Sequence, residues 1–579
     1  MNYPKLKVIK ASREMVDVFK GYNHNPRIGD GEFFDMKNMT SDNYPVLSPR
    51  GRRGVYASPE KPNGLIAKDS LCYVDGSKFV VNEYPVDMGL SDEPKQLISM
   101  GAYVIIMPDK KWINTLNTTE FGNIEAFWES TSDVTFSLCT MTGDAYEGAT
   151  ASATEPKDPV NKQYWIDTSS IPHTLKQYSA TSAMWVSIAT TYVKIAATNI
   201  GKSFGVYDGV SISGVTASGV DLNGDMIVWD RGDNYIVVTG ILDKVTTQTT
   251  AEGKVKVQRA MPLMDYITEA DNRLWGCRYG VASNGEVVNE IYACKLGDFK
   301  NWNCFMGLST DSYAVGVGSD GPFTGAVTHL GYPMFFKETC FHKVYGNYPA
   351  NFQVQDTACR GVQKGCHKSL AIVNETLFYK SRSGVMAYDG SLPTEVSYAL
   401  GNEAYSDAVG GAHGNKYYIS MKDSKDEYTL FVFDIAKGMW HKEDDLKVED
   451  FCSCHGEMYA IGNGKINTMI SSSGGSMWPV KWMVETGEIG MSSPDMKYIS
   501  RINLRMSTDA TSSFRIYAKY DFSDTWHHLY TAFNQKEMRS YSLPIRPKRC
   551  DNMKLRIEGE GNVKIYSITK TIEQGSDLS

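Results

Sequence analysis

The chain has 579 residues, 42% of them apolar and 12% aromatic, with 34 Tyr, 51 Gly and a formal net charge of −8. That length calls for several domains, and that composition for the packed cores of an all-β protein. The acidic balance excludes a polybasic nucleic-acid or membrane surface, though not a passage through which DNA slides, where weak or repulsive walls are what transport needs.

Residues 1–63 read as an extended lead-in. Met1–Met15 carries Lys5, Lys7, Lys10, Arg13 and Glu14, too charged for a secretory leader, so the eleven scattered cysteines are expected as buried thiols made in a reducing cytoplasm. Gly29 and Gly31 mark turns. Met36 and Met39, three apart, suit one helical turn anchored in a groove.

Strands begin at Gly64, and residues 64–115 hold the first blade-like hairpins. Leu71–Val74 and Lys78–Val81 flank Asp75-Gly76, a strong hairpin signal. Tyr103–Met107 and Lys111–Asn114 follow. Residues 116–250, rich in Thr, Ser, Ala and Gly, break this spacing and read as an inserted small β domain, with Trp165 and Trp185 as its core. Blade-like strands return over 251–482.

Within that stretch one phrase is written three times. Glu375–Lys380, Asn415–Ser420 and Gly456–Ile461 are each a turn followed by an aromatic strand, with Phe378, Tyr418 and Tyr459 spaced 40 and 41 residues apart. Each has an apolar strand before and after it. A block of about 40–50 residues holding four short strands is the signature of a β-propeller blade. Seven candidate blades are countable, giving a propeller of six to eight. From 483 to 579 the period is lost, and Tyr498–Arg505, Ser513–Tyr517 and Met553–Ile557 alternate as a C-terminal β-sandwich would. No apolar run reaches the 18 residues of a membrane-spanning helix.

Sites for chemistry are sparse. Cys452, Cys454 and His455 with Cys366 and His367 have the wrong spacing for zinc. Asp221–Asp225 opens like a calcium loop, but its twelfth position is Gly232. No G-x-S-x-G elbow or phosphate-binding Gly-rich loop occurs. Asp271, Glu290, Asp389 and Asp434 are the carboxylates to weigh for glycoside hydrolysis, and Asp389 and Asp434 read better as turn residues. Ser523–Trp526 is a single, faint likeness to the Asp-box of sialidases. Trp165, Trp185, Trp229 and Tyr235 suit either a sugar-stacking platform or plain core. The expectation is no catalytic, metal or cofactor residue, and no enzyme.

The lead-in Asp30–Met39 with Tyr44–Arg50, the phrase Asn272–Gly276, and Ser542–Asp551 followed by Leu555–Gly561 resemble phrases of tailed-bacteriophage structural proteins. The architecture resembles the propeller tail nozzle or tail hub proteins of short-tailed phages. The resemblance implies a virion tail location after synthesis in the bacterial host. It implies a ring of copies, commonly six, around a channel for double-stranded DNA. It also implies portal or adaptor proteins above and fibres or spikes at the side. The alternative is a receptor-binding or carbohydrate-binding tail protein with residues 116–250 as its recognition head.

Overall fold

The computed structural model describes residues 11–574, apart from 283–284, 472–478, 492–495, 510, 522, 534–537 and 546–547. Lys5, Lys7 and Lys10 of the lead-in and Arg546 and Pro547 of the C-terminal phrase therefore lie outside the described residues. The described chain is strands joined by turns, with four single 3₁₀ turns at Ile200–Lys202, Pro349–Asn351, His367–Ser369 and Tyr398–Leu400.

Seven four-stranded antiparallel units form a ring. Blade one spans 62–87, blade two 96–123, blade three 266–316, blade four 325–358, blade five 371–395 and blade six 406–442; blade seven joins 448–468 to Gly54–Ala57. In each blade the first strand is the inner one. Pro62–Ala67 lies beside Gln96–Met100, which lies beside Tyr266–Ala270, then Gly325–His329. The turn His367–Ser369 carries the ring on to Ala371–Val373, Ser406–His413 and Val448–Cys454, and the last returns to Pro62–Ala67. This is a β-propeller, all-β as its sequence predicts, and closure leaves no long free sheet edge at its centre.

The aromatic period has a packing cause. Phe378, Tyr418 and Tyr459 sit on second strands, directly opposite Ala371, Gly411 and Cys452 on the inner strands. Large residues face small ones, so neighbouring blades can close on each other. A Cβ on Gly411 would stand 2.5 Å from Phe451 Cβ of the next blade, so no side chain fits there. The cores lie between blades: Tyr418, Leu430, Val448 and Met458 join six to seven, and Leu65, Leu71, Cys454 and Ile461 join seven to one. The inner hairpins turn on left-handed pairs such as Asp271-Asn272 (φ 50° and 56°) and Asn374-Glu375 (φ 47° and 67°), the geometry whose twist matches the flanking strands.

The N-terminal residues differ from the expected lead-in. Met36 and Met39 are fully buried, but on strands Glu32–Lys37 and Met39–Thr40 rather than a helical turn. Here the main-chain donors are satisfied by a neighbouring strand, which outweighs the i, i+3 spacing. Glu32–Lys37 pairs with Lys481–Thr486, and Gly21–Tyr22 pairs both with it and with Trp440 of blade six. Blade six is thereby continuous with the C-terminal region in one ten-stranded sheet. Further on, Gly54–Ala57 pairs with Lys465–Thr468 and closes the ring. Between these strands Arg50 and Arg53 are buried against Glu443 and Asp444, with Arg53 Nη1 2.7 Å and Arg50 Nη2 3.1 Å from Asp444 Oδ2. Arg53 also bonds Glu443.

The C-terminal sheet runs Lys481–Thr486, Met553–Glu560, Ser513–Tyr520, His527–Phe533. It is faced by a second sheet containing Lys497–Thr508, Val563–Gln574 and Ala11–Val16. Ile502, Leu504, Met506, Ile516, Leu555 and Ile565 share one buried core, the inward half of the alternating pattern.

Between blades two and three the chain makes a long excursion. Phe121–Asn123 still pairs within blade two, and Lys256–Arg259 pairs back to Ala126–Glu129, so strand pairing sets the edges at 126 and 259. Two sheets enclose Phe136, Val193, Ile212, Ile236 and Val257, and a third holds Thr150–Ser152, Tyr164–Asp167, Thr174–Ser179 and Met184–Ser187. The excursion docks on blade three through a buried cluster. Asn301 Nδ2 is 2.9 Å from Asp208 Oδ1, Asn301 Oδ1 accepts from Gly209 N at 2.9 Å, and Arg259 pairs with Asp208.

Candidate functional site at the channel mouth

All seven inner strands start on one face of the ring, since each blade repeats the same antiparallel order. At that face the residues entering blades one, five, six and seven enclose a cavity of about 370 Å³. Its polar wall is Asn63, His367, Lys368, Asp407, Lys447 and Glu449. Lys368 is tied down: its Nζ lies 2.9 Å from Glu449 O and 3.5 Å from Asp450 Oδ2. Asp450 also accepts from Leu65 N at 3.1 Å, which stitches blade seven to blade one. Asp407, at φ 47°, accepts from Tyr428 Oη at 2.5 Å. Burial and that bond to Asp407 push the Tyr428 phenol up to about 12. The His367 ring lies tilted against Tyr266, with 5.1 Å between ring centres, and its Nδ1 is buried without a hydrogen-bond partner. Burial, helped by Lys368, pushes its imidazole down to about 4, so it is neutral at physiological pH.

The residues singled out from sequence lie elsewhere or apart. Asp271 is spent in a left-handed turn, and Glu290 accepts from Tyr292 Oη at 2.5 Å. Asp389 accepts from Ser391 N at 3.1 Å, and Asp434 from Lys437 Nζ at 2.8 Å. They belong to three blades and form no facing pair. Cys366 and His367 stand at the mouth, whereas His455 lies in the turn at the opposite end of an inner strand. No three ligand-type groups converge as a metal site among the described residues. Asp221 and Asp225 are exposed, and Asn223 between them is held by Val215. Trp526 is covered by Arg556, 4.2 Å from its ring.

The four aromatics do not make one platform. Trp165 is buried and Trp185 packs edge-on against it at 5.4 Å. Trp229 and Tyr235 belong to a different part of the excursion, the latter beneath Lys194 at 4.1 Å. Lys368, Asp407 and Glu449 belong to no motif of the sequence. A signal was present: each stands at the start of an inner strand in the repeating block, so aligning the three repeats brings them to one end of the ring.

The sequence matches no protein-family model and no curated protein. Solved structures do align with it. An exo-β-1,3-galactanase from Phanerochaete chrysosporium is 7% identical and covers 52% of this chain and 94% of its own, with a TM-score of 0.21. A glycoside hydrolase family 43 arabinoxylan arabinofuranohydrolase from Bacillus subtilis is 8% identical over 52% and 94%, with a TM-score of 0.18. Trypanosoma rangeli sialidase is 9% identical over 90% and 95%, with a TM-score of 0.17. These proteins are carbohydrate-active enzymes and none is a tail nozzle or hub, so the nozzle expectation and the expectation of no enzyme find no support among them and are not carried forward. Likeness this distant assigns no role to any residue here.

What the mouth offers chemically follows from its own side chains. Asp407 and Glu449 accept hydrogen bonds, Lys368 and Lys447 donate them, and Asn63 and a neutral His367 do both. The volume falls in the range of about 300–1,000 Å³ typical of small-ligand sites. No helix among the described residues is long and apolar enough to cross a membrane.

Proposed function

We propose that this chain is a carbohydrate-binding protein that takes its ligand at the channel mouth. The observation that carries the reading is the polar cavity itself: about 370 Å³, with carboxylates, lysines, an asparagine and a half-buried imidazole whose Nδ1 has no protein partner. A polyhydroxylated ligand presents donors and acceptors in equal supply. It would satisfy such a wall better than an apolar molecule, which would strand those groups. Tyr266 and Tyr428 flank the polar groups.

The test is saturation-transfer difference NMR on the full chain, with a panel of neutral and acidic mono- and disaccharides. A binding sugar should lose its signal in Asp407→Asn and His367→Ala. It should keep its signal in Trp185→Ala, which alters the excursion alone. Binding lost only in Trp185→Ala would move the site to the excursion, and no binding by any sugar would sink the reading.

A further inference from the structure

A second constellation lies outward from the mouth, on blade four. Cys340–Tyr345 and Gln353–Ala358 pair antiparallel, with His342 directly opposite Asp356. Cross-strand partners share a face with their Cβ atoms about 5 Å apart, and His342 Nδ1 bonds Asp356 Oδ1. With that carboxylate accepting from Nδ1–H, the Nε2 lone pair is left to accept a hydrogen bond. It meets Ser319 Oγ at 2.7 Å. Ser319 comes from the segment that links blade three to blade four, which enters blade four on the mouth face.

We propose that Ser319, His342 and Asp356 form a nucleophile–base–carboxylate triad that hydrolyses small acyl esters. The three stand in the order that activates a hydroxyl: nucleophile to base, base to an orienting carboxylate. The serine is held rigidly. Its carbonyl accepts from Asn289 Nδ2 at 2.6 Å and from Lys337 Nζ at 2.8 Å. Lys337 is buried, and its Nζ also bonds Asn289 Oδ1 at 2.9 Å, which fixes the segment from both sides. His342 is wholly buried, and Ser319 is partly exposed. Burial lowers the imidazole's proton affinity, which keeps it in the neutral form a general base needs.

Ser319 Oγ attacks the ester carbonyl carbon as its proton passes to His342 Nε2. The carbon–alkoxy bond breaks, and the alcohol leaves with that proton. Water then attacks the acyl-serine and gives a proton to Nε2; the carboxylic acid departs and Ser319 recovers its hydroxyl proton. The sum is ester plus water to alcohol plus acid, with no redox change. Ser319 lies between blades three and four and its two partners in blade four, and none of the three lines the mouth cavity.

The experiment uses the full chain with a fluorophosphonate probe and p-nitrophenyl acetate. Expected are one phosphonyl adduct, mapped to Ser319 by mass spectrometry, and ester hydrolysis above the buffer rate. Ser319→Ala should abolish both, and Asp356→Asn should lower kcat/KM about 100-fold or more at an unchanged Tm. An adduct on the unmodified protein needs no variant, so a variant that fails to fold does not compromise the result. The proposal is overturned by no adduct at Ser319. It is equally overturned by hydrolysis that survives Ser319→Ala, or by reaction at Cys340, whose Sγ lies 4.0 Å from the same nitrogen. A Tm loss in Ser319→Ala, with an unreactive parent protein, would make the trio a clamp on the inter-blade segment.

Discussion

Two histidines, His441 buried and His367 half-buried, carry a pH dependence in their surroundings. Burial pushes His441 down to about 3 and His367 to about 4, with neighbouring lysines adding to the shift in both. In the unfolded chain both titrate near 6.5. Their contribution is therefore complete above that pH and is lost as pH falls toward the folded values, because only the unfolded state takes up the protons. The unfolding free energy from urea titrations should fall between pH 7 and pH 5, by about 2 kcal/mol for each histidine. A His367→Gln/His441→Gln double variant should show a flatter profile, and an equal slope would refute the assignment. The Arg50, Arg53, Glu443 and Asp444 cluster makes a different prediction. Glu443→Gln leaves two buried guanidinium groups short of charge and should cost about 3 kcal/mol, read as a lower denaturation midpoint.

The elements stay in place through contacts between blades more than within them. At Gly411 the next blade comes so close that Gly411→Ala forces Phe451 or Met458 to move, a cost of about 1–3 kcal/mol. Gly316, on an outer strand, has nothing within 4 Å of the equivalent Cβ. Gly316→Ala should thus be close to neutral, and similar Tm losses for the two would mean that inter-blade packing is not what Gly411 serves. The excursion is a further case. Glu125 and Met261, the second residue past its return, are already joined, with Met261 N 3.1 Å from Glu125 Oε1. Replacing 126–259 by a short Gly linker should leave a ring that unfolds in one transition. Its Tm should be lower by several degrees, because Asn301 and Cys304 lose their cover. Aggregation of that variant would show that the excursion is needed to complete blade three.

At the scale of the whole molecule the repeat was legible and the closure was not. The period of Phe378, Tyr418 and Tyr459, the turn pairs between strands and the alternation in the C-terminal third are local patterns, fixed by the two-residue period of a strand and by turn chemistry. They sufficed for an all-β propeller with a C-terminal sandwich. Pairings of long sequence separation left no such mark. Gly54–Ala57 joins a strand more than 400 residues away, and Gly21–Tyr22 ties blade six to the sandwich. For that reason Met36 and Met39 read as a helical turn when they are strand residues. The candidate site was hidden for the same cause. Single residues ahead of separate strands, such as His367, Asp407 and Glu449, become one wall only when the ring brings the strand starts together. Ser319, His342 and Asp356 carry no motif, since their geometry depends on a strand register and an inter-blade segment. Strand identity and repeat were determined by the sequence itself, through local periodicity. Which chemical groups meet was decided by tertiary structure alone, because ring closure and register bring together residues whose order along the chain holds no information about their distance in space.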